Sequence, residues 1–169
     1  MYKKEIVSAF VEPAQSVWEK ELGHGLKAQS VETAAQTFTT EDITAVISFQ
    51  GQVTGTVLYG FSKITARTIV STMLGQEVPD LDEVANSALS ELAMMMTVRA
   101  TAELAASGYE CQFSAPIVVD VPGTVLNISN SQMRMSFASD LGLLNIRIAL
   151  SDNSHDDEDS LDWLWQRWR

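Results

Sequence analysis

The feature that most restricts the fold is the stretch from about residue 82 to 107, between the Pro79–Asp80 linker and Gly108. Its apolar residues recur at helical spacing. With Leu89 set at zero and about 100° per residue, Ala85, Leu92, Met96, Ala100 and Leu104 all fall on the Leu89 side. That is a core-facing stripe, and a helix with one such stripe has to bury it against a sheet or other helices. Ser87, Glu91, Met94 and Val98 fall on the opposite side, in one line. Glu91 is the only charge in "NSALSELAMMM" (86–96). An outer line that also carries Met and Val either meets another element or waits for a partner. The plain alternative is a solvated carboxylate with two adventitious apolar neighbours, or a line covered by the N-terminal helix.

The remaining pattern supplies the other layers. Ile6, Val7, Phe10, Ala14, Val17 and Leu22 are spaced for a helix that Gly23 ends. Pro13 sits inside it, where a kink or break is expected. Residues 26–38 are polar and β-branched, as in an edge strand. "ITAVISFQGQVTGTVLYGF" (43–61) alternates on both sides of Gln50–Gly51–Gln52 and reads as a hairpin. A short helix, "KITARTIVSTMLG" (63–75), precedes the long one. "PIVVDV", "TVLNIS", "QMRMSFAS" and "LNIRIAL" then read as strands. The order predicts an α+β domain with an antiparallel sheet covered by helices. It spans residues 1–150, and residues 151–169 form a separate acidic linker and tail.

That tail holds "DDED" (156–159) and then "LDWLWQRWR", with three of the chain's four tryptophans. Trp163, Trp165 and Trp168 each carry a large apolar area that is costly to leave in water. They either pack back on the domain or form a docking peptide.

Charge excludes two classes of partner. Eleven basic residues against 22 acidic ones give a net charge of −11, which disfavours nucleic acid and an anionic membrane surface. No stretch is apolar enough to span a bilayer, and the N-terminus does not read as a signal peptide. A cytoplasmic setting is expected. The single cysteine, Cys111, lies in a strand-like run and reads as a structural thiol. The two histidines, His24 and His155, form no ligand pair and no catalytic set. "DDED" lacks the turn and spacing of a calcium loop, and no glycine-rich phosphate loop is present. No metal site is expected.

"DEVANSALSELAMMM" resembles the signature helix of the CheC/CheX family of chemotaxis phosphatases. That signature is Asp or Ser, three residues, Glu, two residues, Asn. Ser87 and Glu91 match it. "GTVLYGFSKITARTIVSTMLGQE" before it and "ATAELAASGYECQFSAPIVV" within and after it are similar to the family as well. The resemblance covers most of residues 1–150 and implies a CheC-like fold, with an antiparallel sheet packed against long helices. It also implies action on the aspartyl phosphate of a CheY-type receiver domain and a homodimer joined through its sheets. Under it, Glu91 pairs with the receiver's active-site lysine and Ser87 supports it. Any Mg²⁺ comes with the receiver, so the chain itself needs no cofactor.

The sequence departs from the family at two positions. Met94 stands where the signature has Asn, and Val98 where a Gly usually follows. Aspartyl-phosphate hydrolysis depends on a positioned water. A carboxamide can hold one by donating and accepting, whereas a thioether is only a weak acceptor. Glu83 and Asn86 repeat the Glu-x-x-Asn spacing, but Asn86 points towards the flank of the core and the pair reads as coincidence. Either the chain works without the usual Asn, or it is an inactive module that recognises a receiver or another signalling partner. In the second case Met94, Met95 and Val98 replace a wet catalytic contact with an adaptable dry one.

Overall fold

The structure, a computed structural model, describes residues 3–34, 37–127 and 132–152. Helix α1 (Lys4–Leu22) buries Ile6, Val7, Phe10, Ala14, Val17 and Leu22 as their spacing requires, and it ends on Gly23 at φ 73°. The break expected at Pro13 is absent, because α1 runs through it and Pro13 is itself buried. An interior proline costs a helix about 3 kcal/mol. Burying Phe10, Val17 and Trp18 returns more, at about 1.5–3 kcal/mol for each large apolar side chain.

Strand β1 (Lys27–Ala34) lies at one edge of the main sheet. The predicted hairpin is β3 (Ile43–Gly51) and β4 (Val53–Phe61). Later in the chain come β5 (Cys111–Phe113), β6 (Ile117–Val119), β8 (Gln132–Ser139) and β9 (Gly142–Asp152). The order across the sheet is β1-β8-β9-β4-β3-β5, every neighbouring pair antiparallel, with β6 also pairing with β3. Gly51 allows β5 to approach: at φ 131°, a Cβ there would meet the Glu110 carbonyl and the Cys111 backbone. Cys111 is half-buried, and burial raises its pKa.

The three helices cover one face. Trp18 stacks on Phe61 at 6.2 Å between ring centroids, and Phe10 meets Phe49 edge-on at 5.4 Å. Helix α2 (Lys63–Leu74) starts where Ser62 Oγ accepts from Thr65 N and ends on Gly75 at φ 66°. Helix α3 (Glu83–Ala106) is capped by Asp82, whose side chain accepts from Ala85 N at 2.9 Å.

The expected strand at 26–38 divides in two. Its second part, β2 (Thr37–Thr39), leaves the main sheet and pairs with β7 (Val125–Asn127) in a separate ribbon. Thr40 ties this ribbon together, its hydroxyl donating to the Val121 carbonyl and accepting from Thr124 N, each at 3.0 Å. β1 ends beside β8, whereas β3 begins beyond β9 and β4. The connection therefore crosses the sheet, and since the helices hold one face it takes the other. Leu58 (1% exposed) and Ala149 (0%) are buried on that outer face, apart from the main core.

β9 runs to Asp152, two residues into the segment read as linker. Residues 153–169, with the three tail tryptophans, lie outside the described residues. At the β8–β9 turn, Gly142 has φ 124°, and a Cβ there would overlap the Thr65 side chain on α2. Gly142→Ala is expected to destabilise the fold by about 1–3 kcal/mol through strain and displacement of α2. A denaturant titration would read this as a lower midpoint at unchanged slope.

Candidate functional site

Helix α3 presents two unlike faces because the sheet takes one of them. Ala85, Leu89, Leu92, Met96, Ala100 and Leu104 are all buried, as the angular reading requires. Between them lies a polar contact: Thr97 Oγ1 donates to the Ala93 carbonyl at 2.8 Å. The fully buried Tyr59 hydroxyl lies against Thr97, and its burial pushes its pKa far upward. Helix α1 packs along the flank of α3, where Arg99 Nη1 donates to Ser16 Oγ at 2.7 Å.

The outer line is therefore not covered by α1. Ser87 and Glu91 are exposed, and Met94 is half-buried without belonging to the core. Val98 remains 50% exposed. Val84, 60% exposed, extends the same line by a further turn. Sequence reasoning passed over it, although Val84 is two turns before Glu91 and stands at the same helical angle. Glu91 is thus a single carboxylate in a long, otherwise uncharged strip, and among the described residues it makes no ion pair.

The other candidates are placed differently. Met95, half-buried like Met94, packs against the core on its inner side. One residue in a helix is a turn of about 100°, enough to carry Met95 off the face that Met94 shares with Glu91. Glu83 is exposed, whereas the Asn86 carboxamide oxygen is enclosed and has no hydrogen-bond partner among the described residues. An enclosed oxygen does not present a water beside Glu83. Among the described residues no cluster of three or more His, Cys, Asp or Glu could hold a metal ion. No helix among them is long and apolar enough to cross a membrane.

An antiparallel sheet under three helices, with an exposed carboxylate on the long helix, is an α+β domain of CheC-like fold. A CheC-like superfamily protein from Shewanella sp. PV-4 superimposes with a TM-score of 0.81 at 23% identity, covering 89% of this chain and 99% of the other. The CheX of Borrelia burgdorferi, solved as a CheX–CheY–BeF3–Mg²⁺ complex, gives a TM-score of 0.73 at 16% identity, over 87% and 98%. The family model for chemotaxis phosphatase CheX matches residues 43–138. The CheY-P phosphatase CheX of Thermotoga maritima is 30% identical over 115 residues, covering 68% of this chain and 74% of that protein. This chain belongs to the CheX family of chemotaxis phosphatases.

Proposed function

We propose that this protein recognises a phosphorylated CheY-type receiver domain through the outer face of α3. Glu91 is the anchor, Ser87 supports it, and Met94 and Val98 provide the dry contact around it. The observation that carries this reading is the exposed Glu91 between Ser87 and Val98 on a strip with no other charge. The relative from Thermotoga maritima supports the choice of partner, being by name a phosphatase of CheY-P.

Recognition, not turnover, is the reading that the side chains favour. With Met94 in the signature's Asn position, this face has no carboxamide to hold the attacking water. Val98 also adds bulk where the family usually has Gly. Hydrolysis without the usual Asn is the second reading, favoured by membership in a phosphatase family. In both cases the receiver supplies the Mg²⁺. A homodimer joined through sheet edges fits the same reading, since among the described residues β1 is paired on one side only, to β8. A molecular mass measured in solution tests that part.

Decay of the phosphoryl group on a cognate receiver, with and without this protein, separates the two readings. Recognition alone predicts binding that depends on the phosphoryl group and an unchanged decay rate. Met94→Asn is then expected to accelerate decay at least tenfold, about 1.4 kcal/mol of barrier. Wild-type acceleration that Glu91→Ala removes would establish the phosphatase. Wild-type binding indifferent to the phosphoryl group would sink the recognition reading.

A further inference from the structure

We infer that Val84 is a further contact residue of the receiver-binding face, bounding the side of Glu91 that Met94 and Val98 leave open. The inference rests on the receiver reading above and names what the receiver has to present: a cation with apolar surface on both sides of it. Val84 and Val98 are the large apolar side chains that α3 leaves exposed, at 60% and 50%. Each stands seven residues from Glu91. Seven residues turn a helix by about 700°, roughly 20° short of two full turns, and advance it by about 10 Å. The two valines therefore bracket the carboxylate on one face, with Ser87 and Met94 in the turns between.

The fold itself does not account for Val84. It is the second residue of α3 and lies outside the core cluster. A β-branched side chain is a poorer helix former than alanine, so an exposed valine there gains little within the chain. Binding does account for it. An ion pair in open water is worth little, because both ions stay hydrated. The same pair strengthens once apolar groups keep water away from it. Met94 and Val98 do this on the C-terminal side of Glu91 only, and Ser87 on the other side is polar. Val84 completes the dry boundary. A second copy of this chain is a poor occupant. Two such strips paired about a two-fold axis would set Glu91 against Glu91 in chains that each carry a net charge of −11. The complementary occupant is cationic, and the receiver is the partner that the reading above assigns to this face.

The test measures the affinity of the full-length chain for a phosphorylated CheY-type receiver over a range of salt concentrations. Val84→Asp is expected to weaken binding about tenfold or more, through lost apolar contact and a carboxylate set in a dry boundary. The fold should not suffer, because an acidic residue is favourable in the first turn of a helix. Val84→Ala is expected to cost about fivefold and to make binding more sensitive to salt, since an ion pair opened to water is screened. Ile64→Asp is the matched control: Ile64 is 77% exposed and is likewise the second residue of its helix, α2. It should leave the affinity unchanged. Equal losses from Val84→Asp and Ile64→Asp would trace the effect to added charge and overturn the inference. Full affinity in Val84→Asp, where Glu91→Ala has lost it, would overturn the inference and leave the receiver reading standing. A wild-type chain that does not bind the phosphorylated receiver would overturn both.

Discussion

Glu91→Ala is expected to weaken binding to a phosphorylated receiver by at least thirtyfold, on the order of 2 kcal/mol, while the melting temperature stays within about a degree. The two halves of this expectation have different causes. Removing one member of a charge pair that becomes buried on binding costs about 2–5 kcal/mol, largely because the partner's cation loses its counter-charge. In the free protein the carboxylate is exposed and makes no ion pair among the described residues. Surface substitutions of that kind move stability by about 0.5 kcal/mol or less. Titration calorimetry and a thermal melt on the same preparation check both. Unchanged affinity would remove Glu91 from the interface, whereas lost affinity with a large fall in melting temperature would point to a damaged fold.

Trp18→Ala is expected to have the largest effect on stability, about 3–5 kcal/mol. Trp18 is fully buried between α1 and the sheet, stacked on Phe61. Its truncation leaves a cavity that close-packed neighbours fill only in part. For a domain of this size the melting temperature should fall by roughly 10 °C. Trp18→Phe should cost much less than its loss of volume suggests. The indole Nε1 is buried without a hydrogen-bond partner among the described residues, and phenylalanine removes that unsatisfied donor while keeping an aromatic face. A Phe variant as unstable as the Ala variant would show that the nitrogen is satisfied after all.

Periodicity made the helices and the central hairpin legible. An amphipathic stripe repeats every turn and an alternating strand every second residue, so Leu89 to Leu104 and Ile43 to Phe61 announced themselves without any tertiary knowledge. The glycines at 23, 75 and 108 marked helix ends for a local reason: each adopts positive φ there. A break at Pro13 is avoided because its penalty is local while the compensation, burial of Phe10 and Trp18, is long-range. The division of residues 26–38 into β1 and β2 was hidden for a related reason, since three or four polar, β-branched residues read alike in a sheet edge or a crossing ribbon. The site was half legible. Spacing placed Ser87, Glu91, Met94 and Val98 on one line, but it could not show that Met95 also packs against the core.

The sequence by itself determined which residues share a face, because helical and strand geometry convert spacing into direction within one element. It also put Met94 where the resemblance expects Asn. Only the tertiary structure decided which faces are covered. Whether α1 lies over the outer line of α3 or along its flank depends on packing between distant segments, and no spacing within α3 encodes it. The contact from Arg99 to Ser16 sets α1 on the flank. That placement leaves Glu91 exposed on an apolar strip, with no ion pair among the described residues.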